Sequence, residues 1–127
     1  SDHVATTFED VCREVVWTSI RRDDLGPYSE VGRWWYGEDE IDIVGLAPGE
    51  DRILLGECKW TTESVGHGLA SQLREKADRV RWGPDSREEE FALFSKSGFV
   101  DGLADDLGDE WHLFDLGRVG DLLSADG

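Results

Sequence analysis

The sequence predicts an α/β fold, a single domain over residues 1–127 in which helices cover both faces of one mixed β-sheet. Apolar periodicity indicates elements in the order α-β-β-β-α-β-α-β-α. A helix of crossover length separates the third strand from the fourth, which favours a parallel pair after an antiparallel meander. The fourth strand is mostly apolar, which is typical of a strand buried on both faces.

Helices are predicted where apolar residues recur every three to four positions. The first is expected over residues 4–20, and the second extends to about residue 81. Two short helices are expected at 99–106 and 117–123. Three residues can serve as the N-cap of the second helix: Thr61, Thr62 or Ser64.

Five strands are predicted from runs of β-branched and aromatic residues, at 30–36, 37–44, 52–60, 90–95 and 110–115. A turn at 47–51, with its Pro, Gly and acidic residues, joins the second strand to the third. We expect Trp34 and Trp35 of the first strand to belong to the core, and a base-stacking platform is the alternative.

Charged side chains interrupt the apolar hairpin formed by the second and third strands. Asp42 lies between Ile41 and Ile43, and alternation along a strand places its carboxylate on the face opposite to both. Glu57 and Lys59 share one face of the next strand. Because burying two acids and a lysine is costly, we expect them to have a role, and a hard divalent cation would satisfy both carboxylates.

This arrangement resembles the PD-(D/E)xK nuclease superfamily, whose members have a restriction-endonuclease-like fold. In that superfamily an Asp ends or interrupts one strand, and a Glu-x-Lys motif lies on the next. Asp42 matches the Asp, and Glu57-Cys58-Lys59 matches the Glu-x-Lys. The resemblance implies a Mg²⁺- or Mn²⁺-dependent phosphodiesterase (an endonuclease) in which Asp42 and Glu57 are the metal ligands and Lys59 assists hydrolysis.

The resemblance implies two further catalytic residues on helices. Phe8-Glu9 resembles the Phe-Glu pair of the Holliday-junction-resolvase and Mrr-like branches, although Glu9 could simply favour the positive helix N-terminus. Gln72 matches a residue that reaches the active site from the helix after Glu-x-Lys, with Lys76 beside it; a solvated basic helix edge is the alternative. The implied catalytic set is therefore Asp42, Glu57, Lys59, Glu9 and Gln72.

A narrower resemblance is carried by four segments, Gly32–Trp35, Glu40–Val44, Gly56–Trp60 and Leu93–Phe99. In this order they look like the C-terminal nuclease-like domain of archaeal-type AAA ATPases. That resemblance implies a domain excised from the C-terminus of a larger ATPase. Its partners would be nucleic acid, DNA in the first place, and the N-terminal P-loop ATPase portion of the same chain, and a homo-oligomer is possible. The alternative is a catalytically idle module that serves protein interaction or regulation of the ATPase.

The chain carries a net charge of −16, with only three lysines among its 13 basic residues. Acidity spread along the whole chain resembles haloarchaeal proteins, which work in concentrated salt. At about 1 M salt the screening length is about 3 Å, so the charge does not exclude a nucleic-acid partner. The sequence contains no membrane-spanning run and no signal peptide pattern, and Cys12 and Cys58 are expected to be buried free thiols. We therefore expect a cytoplasmic domain without a membrane partner.

Overall fold

The computed structural model describes the backbone of residues 2–126 and the side chains of residues 4–125. The described elements follow the predicted order. The helices are α1 (Asp2–Arg21), α2 (His67–Arg79), α3 (Leu103–Leu107) and α4 (Leu116–Asp126). The strands are β1 (Glu30–Tyr36), β2 (Asp39–Ala47), β3 (Arg52–Lys59), β4 (Glu88–Ser95) and β5 (Trp111–Asp115), and a 3-10 turn, Pro48–Glu50, joins β2 to β3. None of the described helices has the length and apolarity needed to cross a membrane.

The five strands form one mixed sheet in the order β1-β2-β3-β4-β5. β2 pairs antiparallel with β1 and β3, and β4 pairs parallel with β3 and β5. The parallel pairs are the ones whose connections contain α2 and α3, because a parallel pair needs a long crossover. The predicted mixed sheet is confirmed.

Two apolar cores lie on opposite faces of the sheet. Alternation along β3 directs Leu54 into the core beneath α1 and α4, and it directs Ile53 and Leu55 into the core beneath α2 and α3. The predicted placement of helices on both faces is therefore confirmed. The first core includes Phe8, Cys12, Val15, Val16, Phe94, Phe114 and Val119, and the second includes Leu73, Ala77, Val80, Phe91, Leu93 and Leu103.

The second helix begins later than predicted. Val65 forms an isolated parallel bridge with Phe99, which holds the chain before the helix in an extended conformation. The cap of α2 is consequently Gly66, without a side-chain hydrogen bond. The same bridge holds Phe99 outside a helix, so α3 begins only at Leu103. The predicted caps of the second helix were therefore wrong: Thr61, Thr62 and Ser64.

A β-bulge interrupts the pairing of β1 with β2. One residue of β1, Arg33, lies opposite two residues of β2, Asp42 and Ile43. A bulge changes the alternation of the strand that carries the extra residue. Ile41 therefore packs into the core beneath α2, whereas Ile43 packs into the core beneath α1. The expectation that both isoleucines share one face was wrong, because the sequence carries no clear signal for the extra residue.

The aromatic residues of β1 are only partly core. β1 pairs with β2 alone, so this edge strand has less cover than the central strands. Trp34 is half-buried against the core beneath α2, but Trp35 is 64% exposed and Tyr36 is 68% exposed. The core prediction was therefore wrong for Trp35. Both cysteines are free thiols; Cys12 is buried, and Cys58 packs against the same core.

Arg87 satisfies the backbone at the carboxyl end of α2. Its guanidinium donates to the carbonyl oxygens of Ala77 and Val80 at 2.8 Å and of Trp82 at 2.7 Å. It also forms an ion pair with Glu89, at 2.8 Å. Because the last carbonyls of a helix have no partner within the helix, this side chain replaces a glycine cap.

We predict that Arg87→Ala lowers the free energy of unfolding by about 2 to 3 kcal/mol, because it leaves three carbonyl groups without their charged donor. Urea denaturation of the variant and of the parent chain measures the difference. Arg22→Ala removes an exposed arginine and serves as the control, with an expected change below about 0.5 kcal/mol. Equal effects of the two substitutions would contradict the assignment.

Glu90 is the centre of a buried polar cluster at the start of β4. Its carboxylate accepts hydrogen bonds from the Tyr28 hydroxyl at 2.7 Å, the Gly26 N–H at 3.1 Å and Arg52 at 3.3 Å. His112 Nε2 lies 2.7 Å from its other oxygen. Burial by itself raises the pKa of Glu90, but the hydrogen bonds from His112, Tyr28 and Gly26 outweigh burial and lower the pKa to about 2.

We predict a loss of stability in acid that depends on Glu90. Its folded-state pKa lies below the ordinary 4.5, so its contribution of about 3 kcal/mol is present above pH 4.5 and is lost as the pH falls towards about 2. Denaturation curves measured across this range check the prediction. Glu90→Gln should remove this part of the pH dependence, whereas Glu88→Gln, at an exposed neighbour, should leave it unchanged.

Candidate active site

The carboxylates of Asp42 and Glu57 lie where β2 and β3 stop pairing. The ladder between the two strands ends at Ile43 and Gly56, and continuing its register by one residue places Asp42 opposite Glu57. Asp42 Oδ2 accepts a hydrogen bond from the Cys58 N–H at 2.9 Å. A side-chain oxygen thus takes the place of a backbone acceptor, and it holds the two acids side by side.

The surroundings of Glu57 shift the pKa of its carboxyl group strongly. The residue is 5% exposed, and its carboxyl forms a hydrogen bond with Asp42. Burial raises the pKa of Glu57, the hydrogen bond and charge of Asp42 raise it further, and Lys76 lowers it only in part, which leaves a pKa of about 7. Two acids in contact share a proton readily and repel each other once both ionise. The site is therefore strained when both carboxylates are charged.

Lys76 brings α2 to this pair of acids. Its ammonium donates to Glu57 Oε1 at 2.8 Å and to the Glu40 carbonyl oxygen at 2.8 Å. Gln72 lies one helical turn earlier and is exposed. Both residues lie on the same flank of the helix, but the position of α2 along the sheet sets Lys76 against Glu57. A role for Gln72 stays a prediction.

Lys59 lies two residues after Glu57 and therefore on the same face of β3. It is half-buried at the end of the strand, and its carbonyl oxygen accepts from the Lys96 N–H at 3.0 Å. Among the side chains of residues 4–125, none forms a salt bridge or hydrogen bond with the Lys59 ammonium. Lys76 neutralises Glu57, so Lys59 has its charge available for another partner.

Glu9 reaches the β-bulge from α1. It forms an ion pair with Arg33, the residue of β1 that lies opposite the bulge, and Arg33 also lies 3.3 Å from Glu40 Oε1. The ring of Phe8 packs 5.0 Å from the ring of Trp60, which places this part of α1 beside the end of β3. Glu14 on the same helix is exposed. A catalytic role for Glu9 stays a prediction.

The pair of acids fits a divalent cation that keeps most of its water. Within the described residues, no group of three or more His, Cys, Asp or Glu side chains is placed to hold a metal ion. Mg²⁺, however, is commonly bound by one or two carboxylates and several waters. Asp42 and Glu57 supply two carboxylates whose mutual repulsion a cation would relieve. These two residues are the ones that would hold the ion.

The architecture is that of a restriction-endonuclease-like fold. The chain is structurally similar to the one described as "MspJI Restriction Endonuclease in Complex with 27-mer Oligonucleotide", with a TM-score of 0.58 and 18% sequence identity. The match covers 91% of this chain and 27% of that chain, so this chain spans about a quarter of the length of its structural relative. At this identity the likeness shows the fold.

A family profile also matches the sequence. The profile of the family described as "DUF234: Archaea bacterial proteins of unknown function" matches residues 1–76, and the chain belongs to this family. The matched region contains α1, the hairpin and most of α2, including Asp42, Glu57 and Lys59. No curated protein matches the sequence.

We predict that Glu57→Gln stabilises the chain in the absence of divalent metal. The folded-state pKa of about 7 lies above the ordinary 4.5, so Glu57 costs stability as the pH rises from 4.5 through 7. Above about pH 8 the neutral side chain should raise the free energy of unfolding by about 1 to 3 kcal/mol.

Chemical denaturation in EDTA measures this difference. The same substitution at the other buried glutamate, Glu90→Gln, is the matched control and should change stability in the opposite direction. If Glu57→Gln destabilises the chain as Glu90→Gln does, the carboxylates of Asp42 and Glu57 do not repel each other, and the description of the site is wrong.

Proposed function

We propose that this domain is a metal-dependent nuclease that acts on nucleic acid, DNA in the first place. The observation that supports this proposal is the contact between the carboxyl groups of Asp42 and Glu57, with Lys59 two residues further along the same face. Two neighbouring acids and an available ammonium are the groups that metal-assisted phosphodiester hydrolysis requires. The restriction-endonuclease-like fold agrees with this reaction class but does not by itself assign it.

In this proposal each residue has one role. Asp42 and Glu57 hold Mg²⁺ or Mn²⁺, which when bound polarises a phosphoryl oxygen and lowers the pKa of a bound water. Lys59 orients the attacking water or stabilises the negative charge that develops on the phosphate. Lys76 fixes the orientation of Glu57 from α2. Glu9, a further catalytic residue in this proposal, forms an ion pair with Arg33 across from the bulge.

The wider context is also part of the proposal. We infer that the domain is the C-terminal part of an archaeal ATPase, whose P-loop portion brings it to its substrate. The net charge of −16 would repel phosphates at low ionic strength. We propose a cytoplasm rich in salt as the working environment, because screening then confines repulsion to about 3 Å at about 1 M salt.

A second candidate is a catalytically idle module that regulates the ATPase through protein contacts. The observation in its favour is the ion pair of Lys76 with Glu57. This pair gives the buried acid a partner without any metal, as expected if the acids were only structural. The unpaired ammonium of Lys59 speaks against this alternative, because an idle site has no need of a half-buried charge.

We predict that Lys59→Ala abolishes cleavage and leaves metal binding nearly intact, whereas Asp42→Asn abolishes both. Lys59 acts on the phosphate, but Asp42 contributes the charge that binds the ion. The measurements are Mg²⁺- or Mn²⁺-dependent cleavage of branched, flapped and linear DNA in about 1 M KCl and titration calorimetry with each metal. Asp51→Asn, in the turn at the other end of the hairpin, is the control and should change neither.

The assay separates the two candidate functions. Absence of cleavage with every substrate, together with absence of divalent binding, would favour the idle module. Clear metal binding without cleavage would indicate a nuclease that needs its ATPase portion to position the substrate, and cleavage should then return when that portion is present. Normal cleavage by Lys59→Ala would refute the proposed role of Lys59.

A further inference from the structure

A concave surface lies between the edge strand β1 and the carboxyl end of α2. Its volume is about 480 Å³, which is within the range of cavities that bind small organic groups. Five residues line it: Trp34, Tyr36, Asp78, Arg79 and Arg81. The candidate catalytic residues do not line it, so this cavity is a separate feature, which we call the aromatic cavity.

Two aromatic rings form one wall of the aromatic cavity. The rings of Trp34 and Tyr36 lie 6.1 Å apart with an angle of 26° between their planes. Trp34 is half-buried against the core and so is held in place, whereas Tyr36 is 68% exposed. A large aromatic residue exposed on an edge strand costs solubility, and a planar apolar ligand would cover it.

Three charged residues line the aromatic cavity: Arg79, Arg81 and Asp78. Arg79 is paired with Asp39, at 2.5 Å and 3.1 Å. Among the side chains of residues 4–125, none forms a salt bridge or hydrogen bond with Arg81. Aromatic faces next to an available guanidinium are the groups that bind a base and its phosphate.

The aromatic cavity adjoins the candidate active site along two elements. On α2, Arg79 follows Lys76 by three residues, which is about 4.5 Å along the helix axis. On β2, Asp39, the partner of Arg79, precedes Asp42 by three residues. A strand of nucleic acid that crosses the two acids can therefore continue into this cavity.

We propose that the aromatic cavity binds an unpaired base of a nucleic-acid strand beside the cleavage site, with Tyr36 stacking on the base and Arg81 contacting a phosphate. The proposal deepens the proposed function, because it makes single-stranded or locally unpaired nucleic acid the substrate class. In a duplex the faces of a base are covered by its neighbours, so a regular duplex cannot present a base to this wall. Both DNA and RNA carry the required base and phosphate.

Binding without cleavage tests this proposal. Fluorescence anisotropy in EDTA measures the affinity of the whole chain for labelled DNA and RNA oligonucleotides, each single-stranded and annealed to its complement. The single strands should bind more tightly than the duplexes. Tyr36→Ala should weaken single-strand binding by about five- to 150-fold, the affinity equivalent of one stacked base, and Tyr36→Phe should restore most of it.

The edge strand supplies a matched control. Trp35 is the neighbouring residue, is exposed to a similar extent and does not line the cavity. Trp35→Ala should therefore change single-strand affinity by less than about twofold. If Trp35→Ala and Tyr36→Ala weaken binding equally, the effect comes from a general apolar surface and the proposed cavity is refuted.

Salt dependence separates the role of Arg81 from that of Tyr36. Each phosphate neutralised on a single strand contributes about 0.7 to the slope of log K against log salt. Arg81→Ala should reduce this slope by about 0.7, whereas Tyr36→Ala should leave it unchanged. Arg22→Ala removes an exposed arginine beyond the end of α1 and should leave the slope unaltered. An unchanged slope for Arg81→Ala would refute the phosphate contact.

The outcome for this cavity can be distinguished from the outcome for the catalytic site. Glu57→Gln should lose cleavage and keep single-strand binding in EDTA. If the wild-type domain binds single strands selectively but cleaves nothing, the result supports the aromatic cavity and not the nuclease proposal. Wild-type binding by Tyr36→Ala would refute the cavity and leave the nuclease proposal standing. Concentration-dependent dimerisation in sedimentation velocity that Tyr36→Ala abolishes would instead make this edge a contact between copies of the chain.

Discussion

The hydrogen bond from the Cys58 N–H to Asp42 is the interaction on which the candidate site depends. It forms where the β2–β3 ladder would otherwise continue, and it fixes one acid against another acid, Glu57. The bulge opposite Arg33 lies at the same point, since β2 carries one extra residue there relative to β1.

The rest of the fold compensates for this conflict between like charges. Lys76 on α2 partly neutralises Glu57, and its second bond, to the Glu40 carbonyl oxygen, ties the helix to β2. At the other end of the sheet, the acid Glu90 is buried to a similar degree but is fully satisfied by donors. Two acids that are buried alike therefore have pKa shifts in opposite directions. Each direction reports whether the surroundings stabilise the charged form.

Basic residues are few in this chain, and each of the two proposed binding features contains at least one of them. An overall charge of −16 keeps nucleic acid at a distance except where lysine and arginine are concentrated. Lys59 at the end of β3 and Arg81 beyond the end of α2 are both free of partners among the described side chains, and Arg81 lines the aromatic cavity.

Local patterns in the sequence were enough to determine the order of the elements, the mixed sheet and the two-sided cover of helices. Short-range periodicity and connection length carry that information. They also placed Asp42 and Glu57 on neighbouring strands, because a hairpin brings its two arms together. The start of α2 was decided by a contact with Phe99, more than thirty residues further along the chain, which no local signal reports.

Only the tertiary structure decided which side chains meet at the acids. Sequence spacing put Gln72 and Lys76 on the same flank of one helix, and packing of α2 against the sheet brought Lys76 to Glu57. The β-bulge was equally hidden, because Ile41 and Ile43 look equivalent in the sequence although they enter opposite cores. Strand register and helix position depend on how the faces of the sheet and of the helices pack together. No single segment of the sequence contains that information.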